Sequence, residues 1–369
     1  MKILISTSYF LPNISGITIY IKNLSEELVK RGYKVSIVTS KHSKNSKKNE
    51  IVNGVLIKRL WAPIKTGKGI IMPLFPFSII REIIDSDVIN CHLPSIESFF
   101  LIFGKILFGK KIIITYHCDF DSGNLVINKI INLIQSFPLK IADHIVVNSK
   151  DYIENYDLLK QHRNKLIEVY PPVVNENLEE DLEINSKINK FKNKKIIGFL
   201  GRISKEKNLE LLFKAVSFLK NDEYQLIIAG PNNVIGEDIY KYKINKYLKK
   251  NKKNITIIGE IKNVNTFLKK CDCLVITSNN RLESFGLVQI ESINNKIPLV
   301  VSNLPGIREV VKQTKMGEIF ESNNAKDLSD KIRIVLKNGK DFYNKKSQNL
   351  EKFNYKNLID KYEKIFNLR

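Results

Sequence analysis

A chain of 369 residues with 43% hydrophobic and 27% charged residues is long enough for two medium domains and has the balance of a folded globular protein, which excludes a disordered or fibrous molecule. Sixty Lys and Arg against 38 Asp and Glu give a formal net charge of +22, so part is a solvated surface on a Lys-, Asn- and Ile-rich background and part points to an anionic partner: nucleic acid, an acidic leaflet or a phosphorylated small molecule. Cys91, Cys118, Cys271 and Cys273 form neither a disulfide framework nor a paired zinc motif, no leader precedes the first strand, and no run of about 18 to 20 apolar residues is long enough to span a bilayer, so the expected place is the cytoplasm, at most peripheral on the cytoplasmic membrane face.

Ile3 to Thr7 reads as a first strand, followed by a loop from Ser8 to Ser15. Gly16 then opens a helix whose Ile17, Ile21, Leu24 and Leu28 recur at helical spacing, and Gly32 ends it before a strand from Tyr33 to Thr39. This is a βαβ opening. Further strands are expected at Val88 to Cys91, Ile112 to Tyr116 and His144 to Asn148, with helices or loops between them. Two apolar stretches, Ile70 to Ile84 and Phe99 to Phe108, fit either a core or a membrane surface, because Lys105, Lys110 and Lys111 flank the second. Pro171 and Pro172 interrupt the chain before a polar segment from Glu179 to Lys194.

The second half repeats the pattern. Strands are expected at Ile196 to Leu200, Leu226 to Ala229, Ile255 to Ile258, Leu274 to Thr277 and Leu299 to Ser302, with a helix over Leu209 to Leu219 and others beginning near Phe285 and near Gly306 or Ile307. Short apolar strands alternating with helices imply an α/β fold: two Rossmann-like doubly wound sheets with ligands beyond the carboxyl ends of their strands. The expected division is residues 1–185 and 186–350, two Rossmann-like domains. An aromatic terminal helix over 351–369, carrying Phe353, Tyr355, Tyr362 and Phe366, is expected to return to the first domain.

Two segments carry chemistry. In the first, a strand ends at Gly198-Phe199-Leu200, Gly201 permits close backbone approach, and Arg202 and Lys207 place two cations before a helix. Helix-start amides and charge-assisted contacts from Arg and Lys suit a diphosphate. In the second, Glu283-Ser284-Phe285-Gly286-Leu287 leads to Glu291, bringing two carboxylates and a run of backbone amides towards one cleft. Carboxylates accept hydroxyl hydrogen bonds, so Glu291 suits a ribose and Glu283 a sugar. Taken singly, each of these elements also fits an ordinary solvated turn or helix face.

Together they resemble the retaining GT-B glycosyltransferases of family 4, on Gly201, Arg202 and Lys207, on Glu283 and Glu291, and on Pro298 and Gly306 in the next strand-loop-helix. The resemblance covers nearly the whole chain. It implies two facing domains with an interdomain cleft, and transfer of a sugar from a nucleoside diphosphate with retention, without a metal or other cofactor. Arg202 and Lys207 then stabilise the leaving diphosphate, Glu291 holds the ribose, Glu283 orients the sugar, and Ser284, Phe285, Gly286 and Leu287 offer amides. From the first domain Gly16 resembles the glycine of an anion-binding loop, reduced here to Ser15-Gly16. His117, after the Ile112 to Tyr116 strand, becomes a donor-sugar contact instead of simple packing, with Asp119 beside it.

The activity expected is transfer of a hexose, mannose in the narrowest reading, from GDP-mannose or a UDP-hexose to a lipid-linked, glycolipid or cell-surface polysaccharide acceptor. UDP-glucose, UDP-galactose and UDP-N-acetylhexosamine donors, a soluble sugar acceptor, and a non-catalytic nucleotide- or nucleic-acid-binding protein stay open. No aromatic-basic recognition repeat supports nucleic acid.

Overall fold

The computed structural model describes residues 1–368 except 44, 67, 68, 121–123, 172, 175–178, 221, 222, 233, 235, 236, 251–253, 281, 340 and 345–348; Pro172, read above as part of the domain break, lies outside the described residues. Two compact units emerge, one of Met1–Val173 with Glu351–Arg369, the other of Val174–Leu350. The division falls after Val173 and not after residue 185. Its cause is local: the Asp181 amide donates to Thr266 Oγ1 at 3.1 Å and Asn263 Nδ2 donates to the Glu179 carbonyl at 2.6 Å, tying residues 179–181 to the second unit.

The first unit runs β1 (Lys2–Ser6), α1 (Gly16–Lys30), β2 (Lys34–Ser40), β3 (Asn49–Val52), β4 (Val55–Leu60), β5 (Ile64–Thr66), β6 (Gly69–Ile71), α2 (Phe75–Asp85), β7 (Val88–Leu93), α3 (Ser98–Phe108), β8 (Lys111–Tyr116), α4 (Leu125–Ile141), β9 (His144–Val147), α5 (Lys150–Ile153), α6 (Asp157–Lys160) and β10 (Leu166–Glu168). Eight strands form one sheet in the order β10-β9-β8-β7-β1-β2-β4-β3, parallel except for β3 against β4; β5 and β6 pair apart from it. Period-two alternation sends Leu4, Ile89, Cys91, Ile112 and Ile114 to one face, where they pack with Phe75, Ile79 and Ile83 of α2, Leu101 of α3 and Leu139 of α4.

The opposite face carries α1 and the last helix of the chain. Tyr20 of α1 meets Tyr362 hydroxyl to hydroxyl at 2.6 Å, and the Tyr362 hydroxyl also lies 2.9 Å from Thr115 Oγ1 on β8. Arg31, at the carboxyl cap of α1, donates to Asp360 at 2.6 Å and Glu363 at 2.8 Å. The terminal helix thus completes a sheet face begun more than 300 residues earlier.

The second unit runs α7 (Leu182–Asn189), β11 (Lys195–Leu200), α8 (Leu209–Val216), β12 (Tyr224–Ala229), α9 (Asp238–Lys250), β13 (Ile255–Gly259), α10 (Val264–Lys269), β14 (Cys273–Ile276), α11 (Val288–Asn294), β15 (Leu299–Ser302), α12 (Glu309–Thr314), β16 (Gly317–Phe320), α13 (Ala325–Asn338) and α14 (Asp341–Asn344); α15 (Tyr355–Asn367) belongs to the first unit. Its sheet is wholly parallel, in the order β13-β12-β11-β14-β15-β16. The helix expected near Phe285 begins at Val288 and the one expected at Gly306 or Ile307 begins at Glu309, because Gly286 and Gly306, at φ +75° and +83°, break the αR run.

Candidate functional site

Among its parallel strands each of the two large sheets reverses its strand order once, and an open α/β sheet leaves a crevice at that point beyond the carboxyl ends of its strands. In the second unit the reversal lies between β11 and β14. Four of the residues singled out in the sequence lie in the loops that leave these two strands: Gly201, Arg202 and Lys207 after β11, and Glu283 after β14. The loops are stitched together, with Thr277 Oγ1 donating to the Lys207 carbonyl at 2.7 Å and the Asn279 amide to the Glu206 carbonyl at 3.3 Å.

Across this stitch the Lys207 ammonium forms an ion pair with the Glu283 carboxylate, each side chain 15% exposed. Arg202 pairs with Glu206 at 3.2 Å and keeps 41% of its side chain in solvent. Two cations therefore stand at the mouth of the crevice, each held by a carboxylate. Such an arrangement keeps both side chains poised and nearly charge-balanced until a more highly charged anion competes for them.

Two glycines set the shape. A Cβ on Gly230, at φ +134°, would lie 2.1 Å from the Gly201 carbonyl oxygen, so β11 and β12 end with their backbones in direct apposition. A Cβ on Gly286 would come within 3.4 Å of Glu283 Oε1 and 3.5 Å of Gln289 Nε2. Ser284 and Phe285 are buried, and Gln289 ties the turn by donating to the Phe285 carbonyl. Ser284 to Leu287 thus form a fixed turn leading into α11.

Glu291 lies in the first turn of α11. Burial pushes its carboxyl up to about 7, although part of the residue reaches solvent. Near neutrality it exchanges a proton readily. A hydroxyl pair donating to it favours the ionised form.

The first unit reverses between β1 and β7. Gly16 is the first residue of α1, behind Ser15, whose Oγ accepts from the Thr18 amide at 3.3 Å while Thr18 Oγ1 accepts from the Ser15 amide at 2.8 Å. The loop before it is held by Arg59, 3% exposed, which pairs with Glu50 at 2.6 Å and donates to the Leu11 carbonyl at 2.9 Å.

His117 follows β8 but is only 4% exposed. Its Nε2 lies 2.8 Å from His92 Nδ1, one ring donating to the other, and the Tyr20 ring stands nearly perpendicular to it, at 85°, with the ring centroids 4.8 Å apart. Burial lowers His117 to about 3 and His92 well below the usual range, the latter helped by its neighbour, so both rings are neutral at physiological pH. Asp119 accepts from the hydroxyls of Tyr116 and Tyr152, each at 3.1 Å. Sequence reading missed His92, Tyr20, Arg59, Glu206, Thr277 and Gly230. Only Gly230, followed by Pro231 at a strand end, carried a local signal.

Among the described residues no group of three His, Cys, Asp or Glu converges as a metal site requires.

Comparison with known proteins brings the two halves under one description. The family model described as Glycosyltransferase Family 4 matches residues 14–178, and that described as Glycosyl transferases group 1 matches residues 180–357. An uncharacterised glycosyltransferase of Methanocaldococcus jannaschii is 26% identical over 92% of this chain and 89% of its own length. A phosphatidylinositol N-acetylglucosaminyltransferase subunit of Saccharomyces cerevisiae is 21% identical over 86% of this chain and 73% of its own. Among solved structures, Anabaena HepE in complex with UDP superposes with a TM-score of 0.76 at 12% identity, over the whole of both chains.

Proposed function

The chain belongs to the glycosyltransferases of GT-B type, and on that premise we propose that it transfers a hexosyl group from a nucleoside diphosphate sugar, with retention, to a lipid-linked, glycolipid or cell-surface polysaccharide acceptor. The observation that carries the proposal is the pairing of Lys207 with Glu283 across two stitched loops at the strand reversal of the second unit, with Arg202, paired to Glu206, on the first of those loops.

In this reading the donor diphosphate displaces the carboxylates from Arg202 and Lys207. Glu283, released from Lys207, accepts from sugar hydroxyls, and Glu291 accepts from the ribose. The bond from the anomeric carbon to the phosphate oxygen breaks with its electron pair leaving on the diphosphate, where the two cations stabilise it. The acceptor oxygen bonds to the anomeric carbon from the same side and its proton passes to the departing phosphate. His117, neutral and almost buried, would contact the donor sugar as a hydrogen-bonding or packing group and not as a proton donor. Gly16 would admit an anion to the start of α1.

The residues named read diphosphate, ribose and sugar hydroxyls, so the donor is proposed as a class, with GDP-mannose its narrowest form. The name of the yeast relative favours UDP-N-acetylglucosamine as a second reading, and likewise a lipid acceptor. A panel of nucleotide sugars assayed for nucleotide release, with polyprenyl-linked, lipid and free-sugar acceptors, separates these. Transfer from one donor, with the anomeric configuration kept by NMR and activity persisting in EDTA, is expected. Folded protein that neither binds nor turns over any member would end the proposal.

A further inference from the structure

On the face of the first sheet that α1 and α15 cover, three hydrogen bonds run in one direction. Asn90 and His92 stand two residues apart on β7, as do Thr115 on β8 and His117, whose amide extends the ladder by donating to the Leu93 carbonyl at 3.1 Å; all four side chains therefore share that face. Thr115 Oγ1 donates to Asn90 Oδ1 at 3.1 Å. A hydroxyl has one proton to give, so at 2.9 Å Thr115 accepts from Tyr362, and at 2.6 Å Tyr362 in turn accepts from Tyr20. The run of donors ends at the Asn90 amide, whose buried Nδ2 has no acceptor among the described residues.

His92 Nε2 is likewise buried without a partner among the described residues, while Nδ1 of the same ring meets His117 Nε2 at 2.8 Å. The ring planes differ by 23° and the centroids are 5.0 Å apart, an end-on approach in which the N–H of one ring points at the lone pair of the other. Burial keeps both rings neutral, so a single proton lies in the contact and its owner decides the state of both outer nitrogens. If His117 were the donor, His92 would carry its own proton on Nε2, a second unpartnered N–H on the strand face that already holds the Asn90 amide. Two such donors repel, whereas a donor beside a lone pair does not. The neighbours thus favour His92 as the donor, which leaves His117 with its proton on Nδ1.

We propose that His92 is a positioning residue, donating from Nδ1 to His117 Nε2 and so holding His117 in the Nδ1–H tautomer, from which it donates a hydrogen bond to an oxygen of the donor sugar. That last contact rests on the transferase reading; the tautomer does not. No proton is transferred. What the pair supplies is a donor whose direction and protonation are set before the substrate arrives.

Selective 15N labelling of the five histidines of the full chain, with His117 assigned by His117→Gln, lets long-range proton–nitrogen NMR separate a protonated ring nitrogen from a bare one. At pH 8 the parent should show His117 protonated on Nδ1 and bare on Nε2. Asn90→Asp, which puts an accepting carboxylate where the amide donates, should swap both rings to the other tautomer. His92→Ala should lower kcat/KM for the nucleotide sugar about 10- to 100-fold at unchanged circular dichroism and unchanged affinity for the free nucleoside diphosphate. His92→Asn, which keeps an N–H near the place of Nδ1, should recover most of that loss. A proton on Nε2 of His117 in the parent would overturn the proposal, as would equal losses in His92→Ala and His92→Asn, which would mark His92 as packing alone. Should His92→Ala not fold, Asn90→Asp and His92→Asn carry the same decision. The NMR needs no substrate, so a parent that transfers no sugar ends the transferase reading while the spectra still decide whether His92 sets the tautomer.

Discussion

Both units place their candidate residues where a parallel sheet reverses its strand order, yet the two crevices are made of opposite materials. The second unit has paired charges at the mouth and a carboxyl, Glu291, held up to about 7. The first unit has a buried cluster of neutral rings and hydroxyls, His92, His117, Tyr20 and Tyr362, closed over by α15. One topology thus supports a charge-exchanging site and a charge-excluding one. The distinction lies in side chains that strand order does not dictate.

The two regions also respond to acid in opposite senses. His117 titrates near 3 in the folded protein and near 6.5 unfolded, so between those values the unfolded chain binds more protons and stability is lost as pH falls. Glu291 titrates near 7 folded and near 4.5 unfolded, so the folded chain binds more protons there and stability is lost as pH rises through that window.

The sharpest way to break the comparison is Lys207→Ala. If the charged crevice stabilises a leaving diphosphate, kcat/KM should fall about 100- to 1,000-fold, worth roughly 2.7 to 4 kcal/mol, with the fold intact by circular dichroism. Near-parental kinetics would remove Lys207 from the chemistry. Glu291→Gln comes next. It should abolish the loss of stability between about pH 4.5 and 7, at most about 3.4 kcal/mol, and with it the tightening of nucleotide binding as the carboxyl ionises. Denaturant titrations and nucleotide calorimetry at pH 5 and pH 8 would show both effects, and an unchanged pH dependence would place the proton elsewhere.

Tyr362→Phe probes the neutral cluster. Removing a buried hydroxyl that meets both Tyr20 and Thr115 should cost about 1 to 2 kcal/mol in urea titrations while leaving nucleotide affinity unchanged. A matching loss of nucleotide affinity would show that the two regions are not separable. The smallest effect belongs to His117 itself: its ring should show no titration by NMR from pH 5 to pH 9. A midpoint near 6.5 would mean that the ring is solvated and the cluster is open to water.

Much of the fold was legible because repeated short apolar runs and periodic helices are local signals. Strands such as Ile112 to Tyr116 and Ile196 to Leu200 were found within a residue or so. The edge of the first sheet was not: β3 opens on Asn49 and Glu50, β4 carries Lys58 and Arg59 among its apolar residues, and both borrow their order from a neighbour. At the site, Arg202, Lys207, Glu283 and Glu291 stood in loops and a helix start whose chemistry the residue types already state. Tyr20 and Tyr362 could not be joined on paper, because what unites them is a hydrogen bond across 342 positions. His117 was visible as a residue and its burial was not, since burial depends on α1 and α15 closing over it.

That closure has a consequence for how the polypeptide is made. Chains leave the ribosome from the amino end and domains generally fold in that order, but here Thr115 waits 247 residues for the hydroxyl of Tyr362. The second unit, contiguous from Val174 to Leu350, emerges complete while the first still lacks the helix that seals one face of its sheet. During synthesis, the later-encoded half is therefore the one free to finish first, and the earlier half spends that interval with an open flank that a chaperone could shield.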